Sequence, residues 1–408
     1  MKVTTMLSNQ SVIESGKRVL IGNYGRLPVA MVRGAGSHLW DADGKQYIDL
    51  FSGFGGSILG HCHPALIHAA AEQAGKLWHV GNTFWTLPQI EVAERLNRTA
   101  FEGQAFFCQS GAEANEAACK LARLHGQTGG SRYKIISLNK SFHGRTLAML
   151  EATGSTKYRE GFKPDVTGFV QVDGGDFEAL LAAVDADTAG IIMEPIQGEG
   201  GINVYPDGYL QNVRKLCDEK QIALIFDEVW TGCGRTGKWF AHQHFTSADG
   251  KVVQPDIMTL GKAVGGGLPV GVMFAKPQFA ALLTPGKHGS TLGANGICMA
   301  VTKAIFDAIE SDGLLENARR MGEHARNRIA QNAQVMQRVA EVRGLGLFLG
   351  IEMKQAPKGL VERGLEKGVV INVTADKVVR LAPRINIGQE DLDAGIDRMF
   401  DAILSLEA

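Results

Sequence analysis

Six cysteines in 408 residues are too few and too scattered for a disulfide framework. Cys62, Cys108, Cys119, Cys217, Cys233 and Cys298 never fall in CxxC spacing, a usage that fits reduced thiols in a cytoplasm. No apolar run approaches the roughly 20 residues that a bilayer-spanning helix needs, and the first twenty residues lack the apolar centre of a secretory signal. Neither a membrane nor export is therefore expected. An excess of charge is missing as well: 42 basic residues stand against 43 acidic ones, which argues against nucleic acid as the main partner. Internal repeats and low-complexity linkers are also lacking.

What is present describes an ordinary globular chain, 45% hydrophobic and longer than one core usually serves, so two or three domains are expected. Glycine is abundant, at 51 residues, which suggests tight turns and close backbone approach to a ligand.

The stretch from Ala223 to Gly267 organises the rest. A short apolar run, Ala223-Leu224-Ile225-Phe226, ends in Asp227-Glu228, and a second, Asp256-Ile257-Met258-Thr259-Leu260-Gly261, delivers Lys262 before a run of glycines. Such runs read as buried strands of a parallel sheet, and open α/β sheets place chemistry at the carboxyl ends of their strands. Asp227 and Lys262 are thus expected to face one crevice. Two readings fit: a buried ion pair, or a Schiff-base lysine with a carboxylate under a pyridine nitrogen, the arrangement that holds pyridoxal phosphate.

Other segments carry weaker signals. An N-terminal helix and an extended Leu27–Val32 segment precede a hairpin turning at Asp43-Gly44. His61, Cys62 and His63 suggest a metal, but neighbours in extended chain point apart and no fourth ligand cluster appears, so no metal is expected. Pro64 instead opens a helix from Ala65 to Trp78. Ser110 caps an Ala-rich helix that Gly126 is expected to stop near His125, and its free amides suit a phosphate. Strands are expected at Lys134–Leu138 and Gly190–Met193, the latter ending in Glu194. Strand–helix alternation to about Leu283 indicates one parallel sheet wrapped by helices. A long helical pattern from Gly296 to Val339 breaks near Ser311-Asp312-Gly313. Strand candidates at Val342–Met353, Val369–Asn372 and Val378–Leu381 and a last helix, Glu390–Leu406, make a small α+β unit.

Taken together, Trp40-Asp41, Gly60-His61-Cys62-His63-Pro64, Ser110-Gly111-Ala112-Glu113-Ala114-Asn115-Glu116, Phe142-His143-Gly144-Arg145, Glu194-Pro195-Ile196-Gln197-Gly198-Glu199, Asp227-Glu228-Val229, Gly234-Arg235-Thr236-Gly237, Lys262 and Ser290-Thr291 resemble the class III (ω-amino acid) aminotransferases, and the acetylornithine and ornithine branch above all. The likeness runs from about Tyr24 to Arg384. It implies the pyridoxal-phosphate-dependent transferase fold type I: a large α/β domain with a mostly parallel sheet, over residues 61–295, and a smaller α+β domain, over 296–408. An N-terminal segment, 1–60, would pack with the smaller one.

By the same resemblance Lys262 would carry pyridoxal 5'-phosphate as a Schiff base and move the proton, and Asp227 would pair with the ring nitrogen. Phe142 and Val229 would sandwich the ring. Ser110, Gly111 and Ala112 would hold the phosphate, with Thr291 reaching it from the other subunit of a homodimer; Glu194 and Trp230 complete the cofactor set. Arg145 would bind the carboxylate remote from the reacting amine, and Arg380 the one beside the keto carbon of 2-oxoglutarate. Glu199 would neutralise Arg380 when an ω-amine occupies the site and swing away otherwise. Tyr24, Phe54 and Ser290 join the substrate set. Two positions depart from the family: Trp230 stands where Gln is usual, and Phe54 where ornithine aminotransferases have Tyr. The implied reaction moves the δ-amine of N-acetylornithine, succinylornithine or ornithine to 2-oxoglutarate. A 4-aminobutyrate transaminase and an aminomutase on the same scaffold are the alternatives, and the Glu199–Arg380 pair speaks against the mutase because it serves two alternating substrates.

Overall fold

The computed structural model describes residues 7–406. Its centre is a seven-stranded sheet. From one edge the strands run Gln104–Cys108, Gly271–Ala275, Ile257–Leu260, Ala223–Asp227, Thr188–Met193, Lys134–Leu138 and Phe169–Val172. All neighbours pair in parallel except Gly271–Ala275, which is antiparallel to both strands beside it. The four inner strands from Thr188 to Ala275 are buried at every position. Burial on both faces explains their unbroken apolar runs.

Helices cover both faces. The helix Gly111–Gln127 lies directly on the sheet, and Ala114, Ala117, Ala118 and Ala122 on it are wholly buried; side chains this small let the helix axis approach the strands. Gly126 does not end this helix as expected. Its missing Cβ is a packing requirement instead: a methyl there would lie 2.8 Å from the carbonyl oxygen of Arg132 and 3.0 Å from Cβ of Ala189. The helix expected from Ala65 ends early, running Pro64–Ala74.

Two four-stranded sheets follow, of which the first joins the two ends of the chain. One orders Met31–Ala35, His38–Asp41, Gln46–Asp49 and Val369–Val370. The other is antiparallel, in the order Val339–Leu345, Phe348–Met353, Val378–Leu381, Asn372–Thr374. The single strand expected over Val342–Met353 is thus a hairpin. It folds at Gly346 (φ +55), where a Cβ would lie 2.5 Å from the carbonyl carbon of Thr236. The strand expected over Val369–Asn372 divides between the two sheets around buried Ile371. One continuous apolar core runs from Ile48 and Leu50 through Phe306 and Val379 to Ile403, so the N-terminal hairpin and the last helix, Gln389–Leu404, share it.

Candidate active site

Parallel register brings the acid and the amine together. Asp227 is the last residue of its strand and stands opposite Thr259 of the adjacent strand, which ends at Leu260, two residues before Lys262. Lys262 opens a short 3₁₀ turn with φ +44. That region is sparsely populated by side-chain-bearing residues and recurs at functional sites, where the surrounding structure imposes it.

The Asp227 carboxylate is 3% exposed and held on both oxygens. Oδ1 accepts from the Val229 amide at 3.0 Å, while Oδ2 accepts from Asn115 Nδ2 at 2.7 Å and lies 2.8 Å from His143 Nδ1. Asn115 is aligned in turn by Thr259, whose hydroxyl donates to its Oδ1 at 2.6 Å. The Val229 amide, the Asn115 amide and the His143 ring nitrogen together fix the plane of Asp227. Asn115 and His143 lay inside motifs already noted, yet their task became visible only when the helix, the loop and the strand met at one carboxylate.

Lys262 is half-buried, and desolvation of its amine holds it below the ordinary lysine pKa against the opposing pull of Glu199, Asp227 and Glu194. An uncharged amine is the nucleophile that a Schiff base requires. Its Nζ sits 4.0 Å from the centre of the Trp230 indole. Glu194 is shifted the other way. Burial, with the Asp227 charge second, raises it to about 7, and its oxygens accept from the amides of Phe142 and Gly198 at 3.0 and 2.8 Å.

A cradle lies beside these groups at the start of the helix Gly111–Gln127. Ser110 caps it, its hydroxyl accepting from the Glu113 amide at 3.2 Å. The amides of Gly111 and Ala112, in the first turn, have no carbonyl within the helix to bond. The cradle is kept open by missing side chains: a Cβ on Gly111 would lie 2.7 Å from both Val229 methyls, one on Gly261 3.0 Å from the Gly111 nitrogen, and one on Gly144 2.6 Å from Cβ of Ala112. Free amides at a helix start suit a phosphate; with a buried carboxylate and a lysine whose pKa is lowered nearby, the set fits pyridoxal phosphate.

The two arginines expected to meet substrate differ. Arg380 is 1% exposed and pairs with Glu199 at 3.0 Å. Asn372 Oδ1 accepts from its Nε at 2.8 Å and its Nη2 at 2.5 Å. Arg145 is exposed, its guanidinium 4.0 Å from the Tyr158 ring centre and 5.4 Å from that of Phe142. Phe54 packs on Phe51 with Arg380 6.0 Å from its ring centre. Tyr24 lies exposed beneath Arg26. Ser290 is engaged by Gln109 at 2.8 Å, and Thr291 is exposed. Tyr158, Phe51 and Asn372 had no sequence signal, because a loop aromatic acquires meaning only from what it stacks on.

Comparison with known proteins agrees with this chemistry. The family model Aminotransferase class-III matches residues 21–403. The chain is 42% identical to the acetylornithine aminotransferase of Caldanaerobacter subterraneus, over 95% of this chain and 98% of that protein. With the acetylornithine aminotransferase of Pseudomonas putida it shares 41% identity, over 95% and 96%. Among solved structures, the acetylornithine aminotransferase of Elizabethkingia anophelis superposes with a TM-score of 0.85 at 31% identity, covering 98% of this chain and 100% of that one. The ornithine aminotransferase of Toxoplasma gondii, described with partial occupancy of PLP at its active site, gives 0.92 at 29% identity, over 98% and 95%.

Proposed function

Because the chain belongs to the class III aminotransferases, we propose that it moves the δ-amino group of N-acetylornithine, or of ornithine or succinylornithine, to 2-oxoglutarate, giving the semialdehyde and glutamate. The observation that carries the reading is the Asp227–Lys262 crevice, joined on one side to a phosphate cradle and on the other to a buried arginine with an internal counter-charge.

Pyridoxal 5'-phosphate, when bound, supplies an aldehyde that takes up the amino group and a ring that withdraws electrons. The remaining work belongs to the chain. Ser110 with the amides of Gly111 and Ala112 would hold the phosphate, and Phe142 and Val229 would flank the ring. Asp227, oriented by Asn115, His143 and the Val229 amide, would pair with the ring nitrogen and keep it protonated. Lys262 Nζ would anchor the cofactor and, once released, carry the proton to and from the carbon that bears the amine.

Arg145, exposed at the crevice, would take the carboxylate remote from the reacting amine. Glu199 would neutralise Arg380 while the ω-amine is bound, then yield to the carboxylate beside the keto group of 2-oxoglutarate. Tyr24, Phe54 and Ser290 would complete the substrate set.

A homodimer is part of this reading, with Thr291 reaching the phosphate of the other subunit. An apolar cleft of about 1010 Å³ lined by Trp78, Phe84, Trp85 and Leu87 supports it, since Trp85 is 90% exposed in the single chain and large apolar patches of this kind mark interfaces. No helix among the described residues is long and apolar enough to cross a membrane; a cytoplasmic enzyme of three segments, 1–60, 61–295 and 296–408, fits.

Lys262→Ala tests the core of the proposal: the variant should fold yet give no lysine-linked cofactor absorbance and no turnover. Full activity in it would remove the mechanism. Comparing kcat/KM for acetylornithine, succinylornithine, ornithine and 4-aminobutyrate then decides the donor, and a clear preference for 4-aminobutyrate would overturn the ornithine assignment.

A further inference from the structure

The family likeness puts Trp230 in the cofactor set but gives it no role toward substrate, yet the crevice is built to hold its ring. The indole is 3% exposed and wedged between two glycines: a Cβ on Gly55 would lie 2.4 Å from its Nε1, and one on Gly198 2.5 Å from its Cε3. Its ring meets the side-chain ends of two basic residues, with Lys262 Nζ 4.0 Å and Arg380 Cζ 4.4 Å from the ring centre. Phe348 and Phe51 pack against it at 5.3 and 6.2 Å between ring centres. Nε1 is buried and finds no hydrogen-bond partner among the described residues, so the contacts the indole makes here are those of its ring.

Arg380 has few other restraints. Asn372 takes its Nε and Nη2. Glu199 is 3.0 Å from Nη1, yet Nη1 is without a hydrogen bond of good geometry, so that pair is close but not locked. If Glu199 leaves, Asn372 holds one edge of the guanidinium and the aromatic walls hold the rest, with Trp230 nearer than Phe51 (4.4 against 5.2 Å).

We propose that Trp230 is a positioning residue for the dicarboxylate substrates: its ring keeps Arg380 in the pose that serves both Glu199 and an incoming carboxylate. The inference rests on the reading that Arg380 binds the carboxylate beside the keto group. A guanidinium held against an aromatic ring is attracted by the ring's quadrupole and has lost its freedom before the ligand arrives, so less is lost on binding. The same indole bounds the space between the reacting amine and the arginine, which limits what lies between them to a short spacer.

The test is calorimetric titration of the cofactor-loaded enzyme with glutarate, a dicarboxylate with no keto group to react. Trp230→Leu and Trp230→Met, two ringless variants of different shape, should each weaken glutarate by about tenfold or more. Trp230→Phe, which keeps a ring, should recover most of that loss. In an Arg380→Ala background the Trp230 substitution should add nothing, and the KM for the ω-amine donor should change less than that for 2-oxoglutarate. Unchanged glutarate affinity in the ringless variants, with a loss in Arg380→Ala, overturns the proposal for Trp230 alone; so does a Phe variant as weak as Leu. Unchanged affinity in Arg380→Ala itself would instead remove the carboxylate reading on which the proposal stands.

Discussion

Replacing Glu199 by Gln keeps the side chain's length and volume and removes only its charge, so it isolates the exchange of one ion pair for another. Arg380 is 1% exposed, and Glu199, 21% exposed, is the carboxylate that pairs with it. Stripping the partner from a buried charge costs about 3–5 kcal/mol when nothing replaces it. Here Asn372 and the Trp230 ring remain, and water reaches the position of Glu199, so a loss of roughly 1.4–2.8 kcal/mol is the reasonable scale. That corresponds to roughly ten- to a hundredfold in rate. It should fall on one half-reaction only. With an ω-amine bound, Arg380 in the variant faces no negative charge, and kcat/KM for acetylornithine should drop by that factor. With 2-oxoglutarate, the incoming carboxylate meets an arginine already free, and kcat/KM should hold or rise. Stopped-flow measurement of each half-reaction, followed through the cofactor's visible absorbance, separates the two. Equal losses in both, or a larger loss with 2-oxoglutarate, would refute the exchange.

Two further outcomes follow from the geometry around the cofactor. Gly111→Ala forces a methyl to within 2.7 Å of both Val229 methyls; overpacking of this kind costs about 1–3 kcal/mol, so cofactor affinity should fall about tenfold while Gly111→Ala/Val229→Ala regains it. Dialysis against pyridoxal phosphate with fluorescence detection reads this, and unchanged affinity in the single variant would show that the cradle is looser than it looks. Glu194 has a folded-state pKa raised from 4.5 to about 7 by burial. Its protonated form is thus favoured in the fold, and its contribution is present in full below the unfolded pKa and lost as pH rises through about 7. The Tm advantage of the cofactor-free wild type over Glu194→Gln should shrink between about pH 5 and pH 8. A constant difference across that range would mean that Glu194 is already charged in the fold.

The strand ends and motif residues were legible in the chain because each rests on local chemistry. An apolar run of four or five residues buries itself in a sheet, a serine before an Ala-rich segment caps a helix, and Asp-Gly turns a hairpin. Gly126 and Gly346 were not legible in the same way. One was read as a stop and is a packing contact, while the other folds a hairpin where a single strand was expected; in both cases the deciding atoms, in Arg132 and Thr236, are distant in sequence or belong to another element.

Sequence by itself indicated that Asp227 and Lys262 emerge at carboxyl ends of buried strands, since apolar runs ending in polar residues bury the run and leave its end at the sheet's carboxyl rim; that the two strands are neighbours came from the structure. Only the tertiary structure decided what each then meets: Asn115 and His143 on the acid, the Trp230 ring against both the amine and Arg380, and Asn372 on that arginine. Contacts of this kind join residues from separate strands, helices and loops, and side-chain charge and orientation are settled by the burial those elements create together.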